Sequence, residues 1–281
     1  MGLLRMGAVA APFDRDLGTD LERIAALIAD ARDQGVELLA LPEAALGGYV
    51  SDLRGSAPPP PALRVTGPEI RRLVDLAGPD MVVVAGFCED AGPDRYNAAV
   101  AVGGGEVLAV HRKVHQPLAE GETYAAGAGF AAFDSPVGRL GMLICYDKAF
   151  PEASRALALD GAEVLVFISA WPAASTDPAP DIADDRWTRR FDLFDRARAL
   201  ENQVVVVSAN QTGTFGSLNF VGSAKIVDPG GEVLATTGVG AGMAVAELDV
   251  TASLTAARRY MGHLRDRRPA TYGPTPEPAL T

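Results

Sequence analysis

The stretch LGMLICYDKAFPEASRALALDGAEVLVFI, residues 140–168, decides the fold. Its apolar ends, Leu140 to Ile144 and Val164 to Ile168, have the length and composition of buried strands. Between them, Pro151 is typical of the first turn of a helix, and Gly161 is typical of a helix end. The stretch therefore predicts two parallel strands joined by a helix, the unit from which α/β folds are built.

The N-terminal part of the sequence repeats this alternation of strands and helices. Leu3 to Ala11 is apolar enough for a buried strand, and Thr19 with Glu22 has the spacing of a capping box that starts a helix. Gly35 ends that helix, and Val36 to Leu41 predicts the next strand. The elements predicted after these are a helix that starts at Pro68 and a strand from Met81 to Phe87.

Both halves of the chain combine apolar strands with helices, and glycine-rich turns join further strands into hairpins. Gly103 to Gly105 lies between two short apolar runs, so it predicts a hairpin turn rather than a phosphate-binding loop. Apolar strands have to be buried against another layer of secondary structure, which suggests two sheets packed together with helices outside them. We therefore predict an α/β fold, a four-layer α-β-β-α sandwich in a single domain. The domain is predicted to span residues 1–265, and residues 266–281 to form a C-terminal tail that is extended or lies at a subunit interface.

The composition excludes several classes of partner. The 281 residues carry a formal net charge of −11, and the sequence pI is about 4.8. Nucleic acids and anionic membranes both select positively charged proteins. The apolar run from Leu3 to Ala11 is interrupted by Arg5 and is too short for a secretory leader, and no later segment reaches membrane-spanning length. The sequence therefore predicts a cytoplasmic protein that binds neither nucleic acid nor membrane.

The sequence contains two cysteines, Cys88 and Cys145, which is too few for a disulfide framework or a metal cluster. Cys145 follows an apolar strand and precedes a helix start, where exposed amides favour a thiolate and can stabilise an oxyanion. A thiol that attacks an amide also needs a base and a nearby positive charge. Glu43 and Lys113 are placed at strand ends that can converge on Cys145. Cys88 has no such partners and is interpreted as a small buried hydrophobic residue.

Two other interpretations of the polar residues are weaker. His111 and His115 are four residues apart, but the local pattern is strand-like and no glutamate lies between them, which disfavours a zinc pair. We expect them to pack or hydrogen-bond around Lys113. A serine hydrolase is disfavoured because the sequence has no Gly-x-Ser-x-Gly elbow.

Three motifs occur in a diagnostic order along the chain. They are Leu41-Pro42-Glu43 with Gly48-Tyr49, His111-Arg112-Lys113-Val114-His115, and Cys145-Tyr146-Asp147 with Phe150-Pro151-Glu152. In these motifs the sequence resembles the nitrilase superfamily of carbon–nitrogen hydrolases, and the resemblance extends from about Met6 to Leu248. It implies the sandwich fold, a Glu-Lys-Cys triad that uses no metal and no organic cofactor, and assembly into homodimers or higher homo-oligomers.

The resemblance also implies roles for individual residues. Glu43 becomes the general base, Lys113 the electrostatic stabiliser and Cys145 the nucleophile. The family has a second glutamate in its site, and Glu120 is the candidate because an aromatic residue and a glycine follow it at the family spacing. Glu122 is the alternative, since it lies two residues further along the same segment.

The substrate implied by the resemblance is a small linear amide, hydrolysed to a carboxylic acid and ammonia through a cysteine thioester. True nitrilases usually carry Trp-Glu after the cysteine, whereas Tyr146-Asp147 resembles amidase-type branches. An N-carbamoyl amine or amino acid, a nitrile, and an inactive binding or scaffold homologue are the alternatives. Lys148 is interpreted as an exposed lysine at a helix start, with a charge for substrate recognition as the alternative. The candidate substrate-binding residues are Tyr49, Tyr146 and Trp171, and Trp171 with Trp187 can equally close the core.

Overall fold

The computed structural model describes residues 3–54 and 58–273, and these residues form fourteen strands in one hydrogen-bonded network. The strands of the first half are β1 (Leu3–Ala11), β2 (Leu38–Ala40), β3 (Ala62–Leu63), β4 (Val82–Ala91), β5 (Asp94–Gly103) and β6 (Glu106–Arg112). Those of the second half are β7 (Phe133–Ser135), β8 (Gly138–Ile144), β9 (Val164–Ser169), β10 (Val205–Phe215), β11 (Leu218–Val221), β12 (Lys225–Val227), β13 (Val233–Thr236) and β14 (Gly242–Asp249).

Five α-helices occur in the described residues: α1 (Leu17–Asp33), α2 (Pro68–Ala77), α3 (Pro151–Leu159), α4 (Arg186–Asn202) and α5 (Val250–Arg258). The predicted starts at Pro68 and Pro151 are confirmed. The predicted capping box at Thr19 is wrong, because Asp16 caps α1 and accepts a hydrogen bond from the Thr19 backbone N–H at 2.7 Å. The helix begins earlier because an aspartate three residues upstream is a strong N-cap.

The strands are arranged as two halves of a sheet that folds back on itself. Their order is β6-β5-β4-β2-β1-β10-β9-β8-β7. Strands β1, β2 and β4 are parallel in the first half, and β8, β9 and β10 are parallel in the second. The halves are joined by a short parallel pairing of Ala10 with Asn210 and of Ala11 with Gln211. The predicted hairpin at Gly103 to Gly105 connects β5 to β6 as expected.

Three apolar clusters separate four layers, which confirms the predicted α-β-β-α sandwich. The central cluster packs residues such as Met6 and Val84 of the first half against Met142 and Val166 of the second. The two outer clusters fill the space between each half-sheet and its helices, α1 and α2 on one side and α3 and α4 on the other. Full burial of each large aliphatic side chain stabilises the fold by roughly 1.5–3 kcal/mol.

The predicted tail begins at residue 266, and its last part, 274–281, lies outside the described residues. Residues 269–271 form a short 3₁₀ helix, and the boundary at residue 265 remains a prediction. Within the described ranges, no helix is both long and apolar enough to cross a membrane.

Candidate active site

Glu43 lies shortly after β2, where the parallel strands of both halves end. Its backbone N–H donates to the Ser169 carbonyl at the end of β9 (3.3 Å), and the side chain of Gln211 donates to the Glu43 carbonyl at 2.9 Å. Gly86 of β4 passes so close that a Cβ atom there would overlap the amide nitrogen of Ala44 and lie 2.6 Å from Glu43 Cα. The absence of a side chain at position 86 is therefore what lets the backbone of Glu43 sit between the two half-sheets.

Lys113 follows β6 and is fully buried. Its Nζ atom donates to Glu43 Oε1 at 2.8 Å and to Glu120 Oε2 at 2.7 Å. Burial disfavours the ammonium, but the charges of Glu120 and Glu43 outweigh this effect and raise the pKa of Lys113 above its usual value. The two carboxylates thus favour the charged form of the buried Lys113.

Glu120 belongs to a short 3₁₀ helix, Leu118–Glu122, that places its side chain inside the protein. Burial raises the pKa of Glu120 to about 7, although the opposite charge of Lys113 acts to lower it. Glu122 lies outside this buried cluster. The geometry therefore brings Glu120, and not Glu122, into contact with Lys113.

Asn97 of β5 completes the group of polar residues, and sequence reasoning missed it. Its Nδ2 atom donates to Glu43 Oε1 at 2.6 Å and to Glu120 Oε1 at 2.5 Å. The second oxygen of Glu43, Oε2, accepts the backbone N–H of Ala170 at 2.6 Å. A signal was present in the sequence, since Asn97 is the polar residue that precedes the apolar run of β5.

Cys145 is the first residue after β8 and starts a 3₁₀ helix, Cys145–Ala149, that leads into α3. Its φ angle of 49° lies in the left-handed region, which a cysteine rarely adopts, so the backbone makes a sharp elbow there. Burial, assisted by the negative charge of Glu43, raises the pKa of the thiol well above its usual value. The amides that follow Cys145 do not offset this effect of burial, so the thiol needs a base that accepts its proton when it reacts.

Asp147 fastens the elbow to the segment that carries Lys113. One of its oxygens accepts the His115 backbone N–H (3.0 Å) and contacts His115 Nδ1 (2.8 Å), and the other lies 3.3 Å from His111 Nε2. Burial disfavours the Asp147 carboxylate, but its hydrogen bonds with His111 and His115 outweigh burial and lower its pKa to about 2. Both histidines thus bind Asp147 rather than surround Lys113 as predicted.

Lys148 is fully buried, so its interpretation as an exposed lysine is wrong. Its Nζ atom lies 2.5 Å from Asp195 of α4, and Lys225 of β12 contacts the other oxygen of Asp195 at 3.0 Å. Burial lowers the pKa of Lys148 to about 8, against the raising effect of Asp195. A buried counter-ion in a later helix explains the difference, because an ion pair makes burial of lysine tolerable.

The three candidate substrate-binding side chains lie in different surroundings. Tyr49 is buried with its ring centroid 5.6 Å from Lys113 Nζ, and Tyr146 is half-buried beside the elbow. Trp171 is buried in the central cluster, where its ring packs against the rings of Trp187 and Phe191, both of α4. Its contacts favour the interpretation that Trp171 closes the core.

The remaining sequence-based candidates are Cys88 and a metal site. Cys88 is buried in β4 as a free thiol, and burial raises its pKa to about 11. Within residues 3–54 and 58–273, no group of three or more His, Cys, Asp or Glu side chains is arranged to hold a metal ion.

Comparison with known proteins relates this chain to enzymes that cleave carbon–nitrogen bonds. A family model described as carbon-nitrogen hydrolase matches residues 5–259. An (R)-stereoselective amidase of a Pseudomonas species is 33% identical over 91% of this chain and 88% of its own length. A carbon-nitrogen hydrolase from Helicobacter pylori superposes with a TM-score of 0.83 at 25% identity, over 96% of this chain and 97% of that one.

A second solved structure is that of an amidase from Nesterenkonia sp. AN1, determined as a double mutant in complex with acrylamide. It superposes with a TM-score of 0.76 at 26% identity, over 96% of this chain and 95% of that one. Cys145 aligns with the catalytic cysteine of these structural neighbours.

Proposed function

Because this chain belongs to the carbon–nitrogen hydrolase family, the nitrilase superfamily, we propose that it hydrolyses a small linear amide to a carboxylic acid and ammonia. The observation that carries the proposal is the buried cluster in which Lys113 bonds both Glu43 and Glu120 beside the strand ends from which Cys145 projects. A base, a fixed cation and a thiol are the groups that attack on an amide requires. Similarity to named amidases supports the same reaction class.

In the first step, Glu43 accepts the thiol proton as the Cys145 sulfur forms a bond to the carbonyl carbon. The high pKa of the buried thiol means that attack and proton removal have to be coordinated. The carbonyl oxygen gains negative charge, which Lys113 Nζ and the Tyr146 backbone N–H are assigned to stabilise. Donors fixed in a dry site contribute roughly 3–4 kcal/mol each to such a step in known enzymes.

In the second step, the carbon–nitrogen bond breaks and the proton held by Glu43 passes to the departing nitrogen, which leaves as ammonia. The acyl group remains on Cys145 as a thioester. Glu43 then takes a proton from water, whose oxygen attacks the thioester carbon. The carboxylic acid departs, and the proton on Glu43 returns to the sulfur, so the enzyme is regenerated without a metal or organic cofactor.

An N-carbamoyl substrate is the second candidate. An N-carbamoylputrescine amidase of Solanum lycopersicum is 30% identical to this chain over 92% of the chain and 89% of its own length. A carbamoyl group presents the same carbonyl and nitrogen to the thiol, so the proposed residues would act on it in the same way.

We also propose that the protein assembles as a homodimer or higher homo-oligomer. Leu193 and Leu200 on α4 and Leu159 on α3 are about half exposed or more, which leaves large apolar side chains on the outer helices. Burial of these side chains between two copies would remove them from water. Light scattering at micromolar concentration measures the mass of the particle, and a mass of one chain would contradict the proposal.

The test of the reaction combines trapping with turnover. The wild-type protein, Cys145→Ala and Cys88→Ser are treated with fluoroacetamide and weighed intact. We expect one adduct on wild type and on Cys88→Ser and none on Cys145→Ala, because Cys88 is buried within β4 and has no role in the proposed reaction.

Ammonia release is then measured with amides, N-carbamoyl compounds and nitriles. We expect release from amides by wild type and Cys88→Ser, and none by Cys145→Ala. Ammonia release from nitriles alone, or from N-carbamoyl compounds alone, would contradict the proposed amide substrate and identify that other class as the substrate. Absence of release from every compound would favour an inactive binding or scaffold protein.

A further inference from the structure

Asn97 occupies a position from which it reaches both carboxylates of the site. It lies in β5 opposite Cys88 of β4, and only 2% of its surface is exposed. Its amide group has two N–H donors. The two hydrogen bonds from Nδ2, to Glu43 and to Glu120, are short at 2.6 and 2.5 Å. The donor capacity of this side chain is therefore fully used by the two acids.

The four side chains form a closed ring. Lys113 bridges Glu43 and Glu120 on one side, and Asn97 bridges the same two carboxylates on the other. A backbone hydrogen bond also joins two members of the ring, because the Lys113 N–H donates to the Asn97 carbonyl at 2.8 Å. A single lysine cannot neutralise two carboxylates, so the ring carries a net negative charge when both acids are ionised. Asn97 supplies the additional donors without adding charge.

We propose that Asn97 is a positioning residue, which holds Glu43 and Glu120 ionised and correctly oriented around Lys113 so that Glu43 is free to accept the thiol proton. This inference rests on the proposed amidase function. It assigns Asn97 no contact with the substrate. Its effect on the reaction passes through the two glutamates.

The proposal predicts a change in the pH dependence of the reaction. Burial raises the pKa of Glu120 to about 7, while hydrogen bonds from Lys113 and Asn97 act to lower it. Loss of the Asn97 donors removes one of the effects that keep Glu120 ionised, so protonation of Glu120 moves to higher pH. The other titratable groups that interact with these carboxylates are Cys145, Tyr49 and Tyr124, and all three stay protonated at neutral pH because burial raises their pKa values.

The experiment measures kcat/KM against pH for the wild type and for Asn97→Ala, with an amide that the wild type hydrolyses. The loss of a hydrogen bond to a charged group shifts the pKa of that group by about one unit. We expect the midpoint of the acid limb to move to higher pH by about one unit, and kcat at neutral pH to fall at least about tenfold. A limb within about 0.2 units of wild type in a folded Asn97→Ala protein would overturn the proposal.

Two further variants keep the test decisive. Asn97→Asp preserves the side-chain shape but replaces the donor with a third acid, so it should move the limb in the same direction if Asn97→Ala does not fold. An unmoved limb in Asn97→Asp would likewise count against the proposal. Asn202→Ala is the matched control, because Asn202 is a buried amide that donates to the Arg198 carbonyl within α4. It should lower the thermal stability and leave the acid limb in place.

A second measurement separates this inference from the proposed function. Alkylation of Cys145 by iodoacetamide requires loss of the thiol proton but no amide hydrolysis. Its rate against pH should show the same displaced acid limb in Asn97→Ala. If the wild type hydrolyses no amide while this displacement is found, the substrate proposal fails and the role of Asn97 stands. If amides are hydrolysed and neither profile moves, the role of Asn97 fails alone.

Discussion

Glu120 and Glu122 are two residues apart in sequence, yet only Glu120 is buried inside the protein. The motif spacing by itself favours Glu120. The reason that the two differ is local: the 3₁₀ turn 118–122 directs the Glu120 side chain to Lys113 and leaves Glu122 nearer the surface. A residue-level choice of this kind can be made from spacing alone when a recognisable motif fixes the register.

The pair offers a matched prediction. Glu120→Gln should lower kcat/KM for an amide at least about tenfold, because Lys113 loses one of its two charged partners and the site loses its fixed geometry. Glu122→Gln should stay within about twofold of wild type, since the side chain lies outside the buried cluster. Steady-state kinetics on both variants at one pH decide this. Equal effects at the two positions would remove Glu120 from the proposed site.

Other residues could not be assigned from sequence. The sequence predicts an exposed Lys148 because its counter-ion, Asp195, lies 47 residues later in a different helix. The role of Asp147 as acceptor for two histidines also depends on contacts between distant segments. Asn97 carries a weak signal, but its two acceptors come from separate segments. Such pairings between distant segments depend on the tertiary structure, so local spacing and residue type do not reveal them.

At the scale of secondary structure, most strands and helices can be predicted because apolar periodicity, proline and glycine report local conformation. The exceptions lie at boundaries. Asp16 rather than Thr19 caps α1, and β10 continues to Phe215 although its apolar run ends at Ala209. The β10 extension pairs with β11, so its polar residues satisfy their backbone groups in a hairpin that a hydropathy pattern does not predict.

The close approach of β4 to the Glu43 turn gives a prediction for this pair of elements. In Gly86→Ala the added Cβ would overlap the Ala44 nitrogen and lie 2.6 Å from Glu43 Cα, so the turn has to move. A displacement of about 1 Å in a catalytic group can cost about a hundredfold in rate. We expect kcat to fall by at least that order, together with an overpacking cost of about 1–3 kcal/mol in the free energy of unfolding.

Gly104→Ala is the control for this variant. Gly104 lies in the β5–β6 turn with φ of 60°, and an added Cβ there would meet no described heavy atom within 4 Å. It should lose roughly 1 kcal/mol of stability through backbone strain and keep its kcat. Kinetics and urea unfolding on the two variants would contradict the packing argument if Gly86→Ala behaved like Gly104→Ala.

At the scale of the whole molecule, Asp147 ties the second half of the chain to the first through His111 and His115. Its folded-state pKa of about 2 lies below the ordinary value of 3.8, so its ionised form stabilises the fold. Because the pKa is depressed on folding, this contribution is complete above the unfolded-state pKa and is lost as the pH falls from about 4 towards 2. A shift of this size corresponds to about 2 kcal/mol.

We therefore expect Asp147→Asn to lower the free energy of unfolding by about 2 kcal/mol at pH 7. The difference from wild type should shrink below about pH 4, where Asp147 of the wild type begins to take up a proton. Urea unfolding at pH 7 and pH 3 measures both values. Asp134→Asn serves as the control, because the Asp134 side chain is 86% exposed in its pair with Arg139. A constant difference at both pH values would contradict the linkage.

Strand β1 occupies the centre of the sheet, with β2 and β10 parallel to it and β14 antiparallel. Ala10 pairs with Asn210, and Leu3 pairs with Asp249. A ribosome adds about 5–20 residues per second, so roughly 10 to 40 s separate the synthesis of β1 from that of β10. During that interval an apolar strand lacks two of its three neighbours and is a target for aggregation. Completion of this fold thus waits for nearly the whole domain, and we expect the nascent chain to depend on molecular chaperones that shield the unpaired side of β1 until β10 and β14 emerge.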